Sequence, residues 1–233
     1  MARVSTPKDA AIDKELIRLA PDDFQTRRLH AKRCAETDVP SLRSLDANAS
    51  VQRTLFGKTY TLDETIERVR KKMVHWATYG FGDWAFRLHS GEFVGIGGLF
   101  HNDLEGSDVV MLGYVVDEPY WGRGFGTEIA AAAMSVAFDA LRLAEVFAII
   151  EPSNAASRRI LEKNGFSFVR DFVYRDEWPS CLFRAAAKGR RVECRISFIW
   201  GICYMRRRGC RLRIRSIIPL ILAGSSQKKC YRL

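Results

Sequence analysis

Apolar positions along this chain recur with two periods, three-to-four and two, and the switches between them mark the elements. Thr61-Leu62-Asp63-Glu64 is a capping-box pattern, and Leu62, Ile66, Val69, Met73 and Trp76 follow at helical spacing. This predicts a helix through about Tyr79, ended by Gly80 and Gly82. Trp84 to His89 alternates, Ser90-Gly91 turns, and Phe93 to Phe100 runs back, which predicts a hairpin. A polar stretch from Asn102 to Asp108 reads as a loop before a third antiparallel strand, Val109 to Val116. Phe125 to Leu141 is a long helical pattern with Phe125, Ile129, Ala132, Val136 and Ala140 on its buried side. Val146 to Ile150 is an apolar strand, Asn154 to Asn164 a helix closed by Gly165, and Ser167–Val173 with Cys181–Arg184 a final pair of strands. Upstream, Thr26 to Arg33 alternates weakly as a first strand, and Thr37 to Leu45 suggests a short helix. The order predicts an α/β fold with a partly antiparallel sheet.

Charge divides the chain. Residues 185–233 carry 13 Lys or Arg against one acid, Glu193, whereas residues 1–184 carry 24 basic and 26 acidic residues. The net charge of +10 therefore belongs to the tail, and the body gives no electrostatic reason to bind DNA. We expect a polar leader over 1–23, a folded body over 24–184 and a basic, Cys/Arg-rich tail over 185–233. Three readings of the tail stay open: a basic arm for membrane or RNA, a disordered appendage, or sequence never selected to fold. The last two are favoured by its acid-poor, Arg- and Cys-rich composition. The six cysteines include no CxxC pair, so no metal site is expected. The polar N-terminal stretch has no apolar h-region, and no apolar run approaches the roughly 20 residues that span a bilayer. A cytoplasmic protein with free thiols, monomeric or homodimeric, is the expectation.

Candidate chemistry centres on VVMLGYVVDEPYWGRGFGT, residues 109–127. Gly122, Gly124 and Gly126 alternate between a strand and an alanine-rich helix, which leaves backbone N–H groups bare at a helix N-terminus and suits a phosphate. The run is not a Walker loop, since no Gly-Lys-Ser/Thr follows, and Thr127 stands where a dinucleotide fingerprint needs its third spaced Gly. A second cluster, Glu151-Pro-Ser-Asn154-Ala-Ala-Ser157, ends a strand and opens a helix, with Lys163-Asn-Gly-Phe166 at its far end. Ser153 and Asn154 are also ordinary helix caps.

Together, GYVVDEPYWGRGFGTE and PSNAASRRILEKNGF resemble the GNAT acetyltransferases, in the branch of ribosomal-protein N-terminal acetyltransferases (RimJ/RimL-like), with TLDETIERV, GFGDWAF and EFVGIGGL fitting upstream. The resemblance covers roughly residues 24–184. It implies a mixed, mostly antiparallel sheet flanked by helices, with a bulge near Tyr114–Val116, splayed between central strands to hold acetyl-CoA as cosubstrate. Pantetheine amides would pair with Val115 and Val116. The pyrophosphate would rest on Trp121, Gly122, Arg123, Gly124, Phe125, Gly126 and Thr127, and Asn154 would hold pantetheine. Ser157 becomes the candidate acid for the leaving thiolate. Relatives often carry a Glu base two residues before the Gly-Tyr pair, where this chain has Met111, so Glu151, His101 and Asp103 are the candidate bases. His75, Trp76, Phe81 and Trp84 are candidate walls of the acceptor site. Cys34 and Cys181 read as ordinary thiols. The implied reaction is N-acetylation of an amine, a protein N-terminus first. A small amine such as an antibiotic or polyamine, or a CoA-binding protein without catalysis, is the alternative.

Overall fold

A computed structural model of the chain describes residues 19–55 and 57–187, together with 196–199, 202–207 and 210–211 of the tail. Two compact units result, Met1–Ala187 and Lys188–Leu233. In the first, eight strands form one sheet in the order β1-β2-β3-β4-β5-β6-β8-β7. They are β1 (Asp23–Gln25), β2 (Leu29–Arg33), β3 (Asp83–Leu88), β4 (Phe93–Leu104), β5 (Ser107–Val116), β6 (Glu145–Ile150), β7 (Ser167–Tyr174) and β8 (Trp178–Ala186). The helices are α1 (Val39–Ala47), α2 (Ala49–Arg53), α3 (Leu62–Tyr79), α4 (Phe125–Ser135), continued by a π-turn over Val136–Ala140, and α5 (Ala155–Lys163). In the tail, β9 (Ile196–Ile199), β10 (Ile202–Arg207) and β11 (Cys210–Arg211) pair antiparallel. Most of the expected leader, residues 1–18, lies outside the described residues.

Local chemistry sets the element ends. Thr61 Oγ1 accepts from the Glu64 N–H at 3.3 Å and Glu64 Oε2 accepts from the Thr61 N–H at 2.8 Å, so the capping box opens α3 as read. Val69 and Trp76 are buried beneath it, whereas Leu62, expected on the same face, is exposed. Three boundaries differ from the sequence reading. The chain enters the sheet already at Asp23, with Ala20 buried against the core. Residues 102–108 are not a loop: β4 and β5 run on to a two-residue turn at Glu105-Gly106, both at positive φ (53° and 82°). Asp103 accepts the Gly106 N–H at 2.7 Å, so polar side chains close a tight hairpin rather than interrupt it. At the far end, β8 reaches Ala186, past the expected limit at Arg184.

The sheet carries two cores. The larger lies under α4 and contains Trp84, Phe86, Leu99, Ile129, Ala133, Val146, Leu161 and Phe183. The helix lies close because Gly97 presents no side chain; a Cβ there would stand 2.5 Å from Ile129 Cγ2. Burying Ile129 completely contributes about 2–3 kcal/mol. The smaller core joins α1 and α3 to the other face through Leu42, Leu45, Val51, Val69 and Ile96.

The parting of β5 from β6 positions the site. Strands β1 to β5 pair antiparallel, as do β6, β8 and β7. Between the two halves, parallel β5 and β6 meet at a single register pair, Met111↔Phe147. Beyond it the strands diverge. The β4–β5 ladder runs from Leu104↔Ser107 to Gly95↔Val116 without a register shift, so the bulge expected at 114–116 is absent. The opening comes from the splay alone.

Candidate active site

The splay opens into a cavity of about 650 Å³. Leu112 to Val116 of β5 and Ala148 to Ile150 of β6 form its flanks, and the 121–127 loop and α5 close it. It collects Val115, Val116, Trp121, Gly122, Gly124, Phe125, Gly126, Thr127 and Asn154 of the residues assigned to the cofactor, together with the candidate acid Ser157 and the candidate base Glu151. Arg123 is the exception: it is exposed, and its guanidinium carbon sits 5.8 Å from the Tyr120 ring centre.

The structure offers an extended donor what it needs. Past Met111 the β6-side edge of β5 has no strand partner, which leaves backbone groups for amides laid along it. Gly122 and Gly124 hold left-handed φ values of 73° and 79°, and α4 begins at Gly124 with no side-chain cap. Its first N–H groups are therefore available to an anion at the positive end of an eleven-residue helix. Trp121 has a task of its own: its indole N–H donates to the Val116 carbonyl at 2.7 Å and bends the loop back onto the strand. That takes up the carbonyl of Val116, one of the two residues expected to pair with pantetheine amides. On α5, Arg159 and Lys163 also line the cavity, one turn apart; neither was given a role from sequence.

Asn154 caps α5. Its Oδ1 accepts the Ser157 N–H at 2.9 Å and its Nδ2 donates to the Thr54 carbonyl at 2.8 Å, tying α5 to the end of α2. One amide hydrogen and one lone pair remain for a ligand. Ser157 meets a partner that sequence reasoning missed: its Oγ lies 2.7 Å from Tyr114 Oη. Tyr114 is largely buried on β5, and burial pushes its phenol up to about 12, outweighing the Ser157 bond that lowers it. The tyrosine stays protonated across the physiological range and acts as a hydrogen-bond donor. Only its alternation along β5 marks it in sequence, and alternation does not say which face meets a helix.

Of the candidate bases, Glu151 alone lines the cavity, where its carboxylate accepts from the Ser153 hydroxyl at 3.3 Å. His101 and Asp103 lie at the closed end of the β4–β5 hairpin. His101 Nδ1 meets Asp108 Oδ1 at 2.9 Å, its ring stacks 4.1 Å from Tyr79, and Asp103 serves the turn. Met111 is buried.

The aromatic residues expected to wall the acceptor site also lie elsewhere, and the α1–α3 end of the cavity is lined otherwise. His75, Trp76, Phe81 and Trp84 are packed away from the cavity, Trp76 and Trp84 edge-to-face at 5.4 Å. The lining there comes from α1 to α3: Leu42, Leu45, Asp46, Arg68 and Lys72, with Asp83 from β3. Both buried carboxylates are paired, Asp46 with Arg68 Nε at 3.2 Å and Asp83 with Lys72 Nζ at 2.6 Å. Cys34 is fully buried and desolvation pushes its thiol up to about 12, so it is inert. No cluster of metal-ligating side chains occurs among the described residues.

Comparison with known proteins agrees with this geometry. The acetyltransferase (GNAT) domain family matches residues 28–167. The uncharacterized protein YkkB of Bacillus subtilis is 30% identical over 154 residues, covering 60% of this chain and 88% of its own length. The FsC-acetyl coenzyme A-N(2)-transacetylase of Aspergillus fumigatus is 31% identical over 144 residues, 58% of this chain and 60% of that protein. An acetyltransferase from Agrobacterium tumefaciens superposes with a TM-score of 0.62 at 25% identity, over 71% of this chain and 95% of the other. A ribosomal L7/L12 α-N-protein acetyltransferase with bound CoA (TM-score 0.58, 17% identity, 72% and 98% covered) shares the fold. So does a Vibrio cholerae spermidine N-acetyltransferase with CoA and spermine (0.57, 16%, 69% and 96%). A parted β5–β6 pair, an uncapped helix behind left-handed glycines and a sequence match across more than half its length place this chain in the GNAT family, as an acetyl-CoA-dependent N-acetyltransferase.

Proposed function

We propose that the acceptor is the N-terminal amine of a protein, in the manner of the ribosomal-protein branch, and that Glu151 and Ser157 handle the protons. The charge of the cavity lining carries this reading. Asp46 and Asp83 are already neutralised by Arg68 and Lys72, while Arg159 and Lys163 add two further cations. A polyamine or aminoglycoside needs unpaired carboxylates, and Glu151 is the one left here without a cationic partner. A single amine on a largely uncharged chain fits better.

Acyl transfer from a thioester then asks four things of these residues. Glu151 accepts the proton of the incoming ammonium, directly or through one water. The free edge of β5 and the uncapped start of α4 hold the donor extended. Backbone N–H groups on the splayed edge polarise the carbonyl. Ser157 delivers a proton to the departing sulfur while Tyr114, whose oxygen lies 2.7 Å away, stays protonated and steadies the seryl oxygen by hydrogen bonding; a proton from water, where Glu151 releases the one taken from the amine, restores Ser157.

Thiol release by the full-length protein tests the acceptor class. We expect turnover with peptides that begin in Ser or Ala, and kcat/KM at least about tenfold lower with spermidine or an aminoglycoside. Faster turnover of the polycations than of any peptide would reject the N-terminal reading and leave the family assignment intact.

A further inference from the structure

Arg28 lies outside the cavity and outside every role given so far, yet it holds the phosphate loop from behind. Thr26 and Arg28, in the turn between β1 and β2, bracket Glu128 in the first turn of α4. Glu128 Oε1 accepts from the Thr26 hydroxyl at 2.6 Å and from the Arg28 main-chain N–H at 2.9 Å, and Oε2 accepts from Arg28 Nε at 2.6 Å. The same guanidinium donates from Nη1 to the Arg123 carbonyl at 2.9 Å and stacks 4.1 Å from the Phe125 ring centre. Nη2 stands 3.6 Å from where a Cβ on Gly124 would be. One side chain is thus fixed by a loop carbonyl just before α4 and by a ring face and a carboxylate in its first turn.

Two physical consequences follow. In a planar trans peptide the carbonyl and the next residue's N–H point in opposite directions. Holding the Arg123 carbonyl toward Arg28 therefore turns the Gly124 N–H away from it, and Gly124 is a cavity residue. The second consequence is electrostatic. Glu128 places a carboxylate, its side chain only 15% exposed, within one turn of a helix N-terminus that is to receive a phosphate. Left alone it would oppose the anion.

We propose that Arg28 is a positioning residue for the pyrophosphate of acetyl-CoA: it aims the Gly124 N–H and cancels the Glu128 carboxylate. The proposal rests on the reading that the 121–127 loop holds the pyrophosphate, and the test separates the two. Calorimetric titration of the full-length protein compares CoA with pantetheine, which ends before the pyrophosphate. Wild type should bind CoA at least about tenfold more tightly than pantetheine. Arg28→Gln should weaken CoA about tenfold and leave pantetheine within about twofold. Arg28→Gln with Glu128→Gln should recover about threefold of that loss, because the charge is removed while the loop carbonyl stays unheld. If Arg28→Gln does not fold, Arg28→Lys decides. A lysine keeps the charge but cannot serve Glu128 and Arg123 together, so CoA alone should weaken by about threefold. Equal weakening of both ligands, or no change in either, overturns the role of Arg28. A wild-type protein that binds CoA and pantetheine equally overturns the loop reading itself.

Discussion

The Tyr114–Ser157 pair gives the sharpest prediction about chemistry. Ser157→Ala removes one hydroxyl at the first turn of α5 and keeps the backbone N–H that Asn154 Oδ1 accepts at 2.9 Å. The helix cap, the loop and the strand edge are untouched, so KM for acetyl-CoA should stay within about twofold. If Ser157 protonates the leaving thiolate, single-turnover rates should fall by about 10²-fold, roughly 2.7 kcal/mol of barrier, the lower range for loss of a general acid. Tyr114→Phe removes only the partner oxygen 2.7 Å from Ser157 Oγ. One hydrogen bond is worth about 1 kcal/mol, so the expected fall is about fivefold. Because burial pushes the phenol up to about 12, this effect should be constant from pH 7 to 9. The decisive case is the double variant. A hydrogen-bonded pair acting as one unit predicts that Tyr114→Phe costs nothing further once Ser157 is Ala. An unchanged rate in Ser157→Ala, or a double variant slower than Ser157→Ala by the full tyrosine factor, would refute the pair's joint role.

Two further predictions concern the scaffold. Thr61→Ala removes the side-chain acceptor that caps α3 and should cost about 1 kcal/mol, lowering Tm by roughly 2–4 °C with kcat unaltered; an unchanged Tm would contradict the cap's contribution. His75 is held neutral: its Nδ1–H donates to the Phe81 carbonyl at 2.8 Å, its Nε2 accepts the His101 N–H at 3.0 Å, and burial lowers its pKa against the Phe81 bond that raises it. The unfolded chain therefore takes a proton first, so this stability is complete above about pH 6.5 and is lost as pH falls below it. Urea midpoints at pH 7.5 and 5.5 should drop further for wild type than for His75→Gln, and equal drops would contradict the arrangement.

What could be read from the residues alone follows from how local each signal is. The α3 capping box, the left-handed Gly80, Gly122, Gly124 and Gly165, and the Phe125 helix depend on neighbours within a few positions, and all stand where the pattern put them. Most of the geometry of the 121–127 loop was legible for the same reason. The failures are long-range. His75, Trp76, Phe81 and Trp84 were candidate walls, but aromatic spacing does not distinguish packing against the sheet from facing a cavity. His101 and Asp103 were candidate bases because strand ends often face a site, yet this hairpin continues several residues past the opening. Tyr114–Ser157 and Arg28–Glu128 join residues 43 and 100 positions apart, and no periodicity encodes such a meeting.

The central claim is that the glycine loop between β5 and α4 holds the phosphates of acetyl-CoA. Its most direct test is calorimetric titration of the full-length protein and of Gly124→Glu with acetyl-CoA. The substitution places a carboxylate among the N–H groups of the loop and strains a backbone φ of 79°. The account predicts one-to-one binding by wild type and no detectable heat with the variant, whose melting curve shows it folded. Equal affinity in the two proteins, or a folded wild type that binds no acetyl-CoA, would contradict it.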